Sequence, residues 1–367
     1  MVLGTEPGGQ HNSPVRPLLA GDLVAGSRVA GFAWVGPAEG VVSTHLDDRL
    51  VLEGDERLAA PPDRPVPQTA DGAEPLAAVP PTDLPARCLH PAESLGVTLP
   101  FRAGALVDLP GAPWRPLIRP LFGAVHAAGH RVWLTGGAVR DLVVGVPLHE
   151  VNDLDLSGTV PPGRFTDITR QTLRAMGMAE LRTTVTPTSL VCSVVDPRSA
   201  RRLIEYRGLS KGGFSFPVVG SQLAEDADYR DFAFNALLYD VLDDVVFDPS
   251  GKGLADLLGE KRRFTPHNVS TDPFTQAETI VRAGKLALRW ANGARLTAAP
   301  LDLEPLTTWI SALPRNLCQM LTAAHWNGLR SVYRRAIHAP LQRQQEFAAS
   351  LPQPGKELIE ILIGEVR

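Results

Sequence analysis

The short apolar run Arg131-Val132-Trp133-Leu134 leads straight into Thr135-Gly136-Gly137-Ala138-Val139-Arg140-Asp141, and Asn152-Asp153-Leu154-Asp155-Leu156 follows closely. This order constrains the fold more than any other feature of the chain. A strand that enters a Gly-Gly turn leaves bare backbone N–H groups open to an anion, because glycine has no Cβ to shield them. A helix over 139–144 starting at that turn puts its positive dipole end on the same spot. Asp153 and Asp155 stand at i and i+2, so on an extended strand both carboxylates project to one side while Leu154 and Leu156 face a core. Either half alone is common, since Gly-Gly is usually a plain turn and Asp-x-Asp a solvated strand. Together and in order, a phosphate-holding turn and two convergent carboxylates able to bind Mg2+ are the minimum for chemistry on a nucleoside triphosphate.

At 367 residues the chain has room for two or three domains. Its formal net charge of −4 excludes a polycation that coats nucleic acid, so any RNA contact must come from a local patch. No apolar run is long enough to span a membrane, and Met1 to Pro7 lacks the basic start and apolar core of a secretion signal. Cys88, Cys192 and Cys318 are odd in number and far apart. That spacing speaks against a disulfide framework or zinc site and for the reducing cytoplasm.

Three regions are expected. Residues 1–105 form a Pro/Gly/Ala-rich N-terminal extension without lysine, with short strands over 22–35 and 49–53 and a Pro-rich linker over 59–85. Residues 106–268 read as a mixed α/β sheet domain, its ordered structure resuming near Pro113: a helix over 115–128 stopped by Gly129, the strand before the Gly-Gly turn, the aspartate strand, a helix over 165–176, and strands over 190–195 and 202–206. Residues 269–367 turn helical, with helices over 280–290, 314–324, 329–337 and 357–366.

A second dense segment runs from Glu225 to Asp240. Phe232, Asn235, Ala236 and Tyr239 share a face at helical spacing, so it reads as an amphipathic helix with an acidic start. Arg230 and Asp231 sit where a guanidinium can meet phosphate or a ribose hydroxyl. Phe247 to Leu258 makes a Gly-rich turn into a helix, for which a purely structural role is the commoner reading.

The order of these motifs resembles the class II tRNA nucleotidyltransferase and bacterial poly(A) polymerase family, within the polymerase-β-like nucleotidyltransferases. Gly136 to Asp141 is similar to its first signature, Asp153-Leu154-Asp155 to its metal pair, Asp226 to Leu237 to its acidic–Arg–Arg–Asp–Phe–x–x–Asn–Ala–Leu segment, Asp248 to Leu257 to its Asp–x–x–Gly–Gly turn, and Ile280 to Trp290 to the start of its neck helix. The resemblance covers roughly residues 115–295. It implies an α+β fold: a polymerase-β-like head, a mixed sheet with flanking helices, followed by an all-helical C-terminal region. It also implies transfer of a nucleoside monophosphate from ATP or CTP to a 3′-hydroxyl of RNA, at a tRNA-like 3′ end. Gly136, Gly137, Arg140 and Asp141 would hold the triphosphate, and Asp153 and Asp155 would bind Mg2+ or Mn2+ as the catalytic pair. Glu205 would be a further carboxylate, with a surface role equally open. Arg207, Arg230, Asp231 and Arg282 would complete the nucleotide site.

Three departures from the pattern stand out. The loop over 146–151 is altered, and Tyr229 replaces the first arginine of the Arg–Arg–Asp trio. The base-reading positions ahead of the neck hold Thr275, Gln276 and Thr279, with an Asp-Pro displaced to Asp272-Pro273. The charged template for choosing C and A is therefore missing. In the short helical tail, Arg330, Arg334 and Arg335 form a candidate RNA contact, although a solvated helix side is the commoner meaning of such a pattern. Two alternatives stay open: the same chemistry on a small-molecule or protein acceptor, and a non-catalytic nucleotide- or RNA-binding relative.

Overall fold

The computed structural model describes residues 52–53, 84–151, 154–186, 190–199, 201–210, 220, 222–292 and 299–365. Asn152 and Asp153, the strands expected over 22–35 and most of 49–53, and the linker up to residue 83 lie outside the described residues.

The chain runs through β1 (Leu52–Glu53), β2 (Leu89–Pro91), α1 (Ala92–Leu95), α2 (Leu99–Val107) and α3 (Arg115–Ala127). Then come β3 (Val132–Thr135), α4 (Gly136–Val143), β4 (Asp155–Gly158), α5 (Pro162–Ala175), β5 (Arg182–Val185), β6 (Cys192–Asp196) and β7 (Arg201–Gly208). The head closes with α6 (Leu223–Ala227), β8 (Leu238–Asp240), β9 (Val245–Phe247), α7 (Gly253–Leu258) and β10 (Arg262–Arg263). Beyond it lie α8 (Pro273–Asn292), β11 (Leu301–Asp302), α9 (Glu304–Ser311), α10 (Leu317–Met320), α11 (Ala323–Ala336), α12 (Leu341–Ser350) and α13 (Gly355–Glu365). Thus a mixed sheet with flanking helices precedes a helical C-terminal region. None of the described helices is long and apolar enough to cross a membrane.

Among the described residues the sheet has nine strands in the order β1-β5-β6-β7-β4-β3-β8-β9-β2. Its β4–β7 pair is parallel and its other ladders are antiparallel. β3 is buried along its whole length, as a strand covered on both faces must be. Val132 and Leu134 enter the large core with α3 and α5, while Trp133 joins a smaller cluster with Leu223, Leu238 and Phe247 on the other side. On α5, Phe165 stacks on Tyr206 of β7 with ring centroids 3.7 Å apart. That contact fixes α5 to the sheet face that carries Tyr206.

Ordered structure begins well before Pro113. β2 pairs with β9, Leu89 opposite Phe247, and α2 buries Leu99, Ala103, Leu106 and Val107. A compositional reading overlooks these elements because the stretch is rich in Pro and Gly, although its apolar spacing is helical.

Glu225 to Asp240 is not one helix. It splits into α6, a 3-10 turn over Ala233–Asn235, and β8. The helix ends at Ala227, and Asp231 keeps it from resuming: its Oδ1 accepts from the backbone N–H of Phe232 at 2.8 Å and from the Asn235 side-chain amide at 2.9 Å. A short acidic side chain competes in this way with helix continuation. Phe232 is accordingly extended, at φ −128°. The helical spacing of the apolar residues reflects burial from several directions. Phe232 and Phe234 stack on each other, and Phe264 and Trp290 close the cluster, with Phe264 and Trp290 centroids 5.2 Å apart. These rings fasten α8 to the head.

The helix expected over 314–324 is also interrupted: α10 ends at Met320, and Thr322 caps α11. The Thr322 hydroxyl accepts from the His325 N–H at 3.2 Å, and the His325 ring accepts from the Thr322 N–H at 3.3 Å. This reciprocal cap fixes a new helix start.

In α7 Asp256 is 4% exposed, and its Oδ2 has no hydrogen-bond partner among the described residues. Burial pushes its carboxyl up to about 6, against a favourable contact with Thr265. The folded state therefore prefers the protonated acid. This stabilisation is complete below the ordinary carboxylate value of 3.8 and is lost as pH rises through about 6. Asp256→Asn is expected to raise stability by about 1–3 kcal/mol at pH 8 and by little at pH 4. Thermal melts across that range check it, and an equal gain at both pH values counts against the assignment.

Candidate active site

β3 delivers Thr135 to the turn, and Gly136 opens α4 in the left-handed region at φ +65°. A Cβ built on Gly136 would lie 3.1 Å from Oδ2 of Asp155. Only glycine accepts both that backbone conformation and that carboxylate. The contact follows from sheet register, with Thr135 opposite Asp155 across the β3–β4 ladder. On the other side of β4, Asp155 pairs with Glu205 and Ser157 with Arg207. Directly opposed residues share a face, so Thr135, Asp155, Ser157, Glu205 and Arg207 all stand on one side of the sheet. Leu156 and Tyr206 point the other way, toward α5.

A bulge shapes this face. Val194 pairs with Ile204 but Val195 with Arg202, so Leu203 is the extra residue of β7. The bulge lets Arg202 turn to the same side as Glu205 and ion-pair with it. Thr135 has a buried hydroxyl with no hydrogen-bond partner among the described residues.

Arg140 lies beneath the turn, 6% exposed. Its Nη2 approaches a Cβ position on Gly137 at 3.4 Å. Its Nε donates to Asp141 Oδ1 at 3.0 Å and its Nη1 to Asn235 Oδ1 at 2.8 Å. From there two ion-pair chains reach α8. Asp141 Oδ2 meets Arg289 Nη2 at 3.1 Å. Asn235 donates to Asp231, whose Oδ2 lies 3.4 Å from Arg282 Nη1, and Arg282 in turn pairs with Glu278 at 3.0 Å. Burial alone would lower the Arg282 pKa, but Glu278 and Asp231 outweigh it and hold it above the ordinary value.

A third knot holds α6 to the sheet. Asp226 is 1% exposed. Its Oδ2 accepts from Arg230 Nε and Nη2 at 2.9 and 2.7 Å, and its Oδ1 from the Ser210 N–H at 2.7 Å. Arg207 Nη2 stands 3.6 Å from the same carboxylate. Arg230 Nη2 also donates to Ser157 Oγ at 2.8 Å, two residues along β4 from Asp155. Burial lowers the Arg207 pKa to about 10, with the Arg230 charge adding to the effect, so the group stays charged at neutral pH.

Of the residues singled out in the sequence, Gly136, Gly137, Arg140, Asp141, Asp155, Glu205, Arg207, Arg230, Asp231 and Arg282 are brought together by these contacts and registers. Asp153 lies outside the described residues. Arg330, Arg334 and Arg335 lie apart on α11, where Arg330 sits over the Trp326 ring at 5.9 Å and donates to Asn327. Sequence reasoning passes over Ser157, Asn235, Glu278 and Arg289. Glu278 is discoverable from its i,i+4 spacing to Arg282, and Arg289 from its place two turns further along the same helix face.

The positions expected to read the base are occupied otherwise. Asp272 Oδ2 accepts from the N–H and hydroxyl of Thr275, both at 2.8 Å, so the displaced Asp-Pro is the start of α8. Thr279 is 2% exposed and donates back to Thr275 O at 2.9 Å. Gln276 keeps a buried Oε1 without a hydrogen-bond partner among the described residues.

Residues 132–263 match the family described as poly A polymerase head domain. Over those residues the chain is similar to that head domain, and the similarity to individual relatives is distant. A CCA-adding enzyme of Streptococcus suis (strain 05ZYH33) is 27% identical over 196 residues, 53% of this chain and 42% of that enzyme. A CCA-adding enzyme of Lacticaseibacillus paracasei is 29% identical over 118 residues, 32% of this chain and 27% of that enzyme. The chain thus spans less than half the length of the curated relatives it matches. Among solved structures, that of a CCA-adding enzyme with CTP aligns at a TM-score of 0.48 and 16% identity, over 71% of this chain and 54% of that one.

Proposed function

We propose that this chain is a metal-dependent nucleotidyltransferase that moves a nucleoside monophosphate from an NTP onto the 3′-hydroxyl of an RNA, as CCA-adding enzymes and poly(A) polymerases do. The observation that carries this reading is the Asp155 carboxylate seated against the Gly136 turn, 3.1 Å from where a Cβ would stand. An anion-accepting backbone and a carboxylate in contact are what a metal–triphosphate complex needs.

The residues fit a hard divalent cation. Asp155 and Glu205 are register neighbours on one face, and the Thr135 hydroxyl lies unpartnered among the described residues on that face. Carboxylate oxygens suit Mg2+ or Mn2+, with Asp153 as the further ligand that the sequence supplies. When bound, such an ion supplies Lewis acidity at the reacting phosphorus and lowers the pKa of the attacking hydroxyl.

The protein groups orient the substrates. The Gly136 and Gly137 N–H groups and α4 accept the phosphates, with Arg140 beneath them contributing charge. Arg230 and Arg207, tethered by Asp226, face the phosphates and sugar from the turn after α6 and from β7, while Asp231 and Arg282 set the edge of the site toward α8. The base is chosen without a charged side-chain template, since Thr275 and Thr279 are tied into their own helix. ATP and CTP are the substrates this reading expects. On α11, Arg334 and Arg335 are exposed and available to RNA phosphates. Three widely spaced cysteines without disulfides accord with work in the cytoplasm.

The test supplies each NTP separately with Mg2+ and total RNA, and sequences the 3′ ends. Added C or A residues on tRNA-like ends are the expected result. NTP turnover that ignores RNA would move the acceptor to a small molecule or protein. No turnover with any NTP would leave only a nucleotide-binding role.

A further inference from the structure

Thr135 closes β3, a strand that is otherwise Val132-Trp133-Leu134 and is buried along its whole length. It is 3% exposed, and its Oγ1 is enclosed without a hydrogen-bond partner among the described residues. A buried hydroxyl in that state destabilises the fold. Valine has the same outline and suits a strand equally well, with no polar group to bury. Packing therefore gives no reason for threonine at this position. The neighbours on its face narrow what the hydroxyl can serve. Across the β3–β8 ladder stands Leu238, which is apolar. Trp133, two residues back, gives its Nε1 proton to Asp240 at 3.0 Å. Ser157, the diagonal neighbour on β4, accepts from Arg230 at 2.8 Å. Directly opposite is Asp155, in a pairing that brings side chains of one face within reach of each other. Its carboxylate leans over the next residue of the turn, with Oδ2 3.1 Å from a Cβ position on Gly136. A threonine hydroxyl has one proton to give, and this carboxylate is the acceptor that the ladder sets beside it.

We propose that Thr135 is a positioning residue for the metal site: its hydroxyl donates to the Asp155 carboxylate when that carboxylate takes up a divalent cation, and so fixes where the carboxylate oxygens point. The inference rests on the nucleotidyltransferase reading and deepens it. Carboxylates that hold metal ions are themselves held by hydrogen bonds, and losing such a bond costs about 10–100-fold in metal affinity. Because Oγ1 is enclosed, Thr135 acts through Asp155 and touches no substrate. The hydroxyl weakens the metal-free fold and strengthens the loaded one. Its removal therefore moves the two in opposite directions, which the loss of a purely structural threonine would not do.

The full chain is titrated with Mn2+ by calorimetry and melted in EDTA, as wild type, Thr135→Val, Thr135→Ser and Asp155→Asn. Wild type is expected to bind Mn2+ at a site that Asp155→Asn abolishes. Thr135→Val should bind about tenfold more weakly or worse, yet melt in EDTA no earlier than wild type, while Thr135→Ser stays within about threefold of wild-type affinity. Wild-type affinity in Thr135→Val overturns this inference alone and leaves the nucleotidyltransferase reading standing. Equal weakening in Thr135→Ser does the same, because it assigns the effect to the methyl group. Absence of Asp155-dependent binding in wild type overturns both. Should Thr135→Val melt early, Thr135→Ser is set against Thr135→Ala, two variants that differ by the hydroxyl alone: a gap of about tenfold in Mn2+ affinity supports the role, and equal affinities overturn it.

Discussion

Asp155→Asn will lower nucleotide incorporation by about a thousandfold or more, equivalent to about 4 kcal/mol of transition-state stabilisation. Asparagine keeps the shape of the side chain and its place against the Gly136 turn but removes the charge that we propose holds a divalent cation. The effect should fall on turnover, with circular dichroism and melting temperature close to wild type, because Asp155 is half-buried at the end of a strand. Its backbone pairings with Thr135 and Glu205 do not involve the carboxylate. Incorporation of labelled nucleotide at saturating NTP measures the loss. Near-wild-type incorporation in a folded variant would be incompatible with metal-assisted chemistry at this carboxylate.

Asp226→Asn is expected to have the largest effect on stability. Asp226 is 1% exposed and joins Arg230, Arg207 and the Ser210 N–H in one knot. Removing its charge leaves two guanidinium groups facing each other without a counter-ion, a change that costs roughly 3–5 kcal/mol in buried pairs. For a chain of this size that lowers the melting temperature by roughly 6–15 °C. Burial by itself would raise the Asp226 pKa, but the Arg230 and Arg207 charges outweigh it and hold the carboxyl below its ordinary value of 3.8. The stabilisation is therefore present above that value and disappears as pH falls below it. Wild type should lose stability on acidification in a step that Asp226→Asn lacks. The same substitution frees Arg230 from the geometry that points it at Ser157, so KM for NTP should rise more than kcat falls. A melting temperature within a degree or two of wild type would show the knot to be energetically idle.

The Gly-Gly turn, β3 and α8 are legible in the sequence because each is fixed by local chemistry, whereas of the expected aspartate–leucine strand only Asp155 and Leu156 lie in β4 and Asp153 is outside the described residues. The strand–turn–helix order likewise suffices for the mixed sheet and the helical tail. The interruption at Asp231 is not legible from periodicity, since the apolar residues around it keep helical spacing while burying against elements distant in sequence. β2 and α2 are obscured for a different reason: proline and glycine suggest a linker where tertiary contacts order the chain.

By itself, the sequence determined which side chains could do chemistry and on which kind of element each sits. Periods of two and of 3.6 residues, glycine backbone freedom and helix caps are properties of neighbouring residues. Only the tertiary structure decided which carboxylate touches the turn, that Glu205 stands beside Asp155, and that Asp226 and Asn235 hold the arginines in place. Those outcomes rest on strand register, on the Leu203 bulge, and on charges that meet only when segments far apart in the chain are packed together.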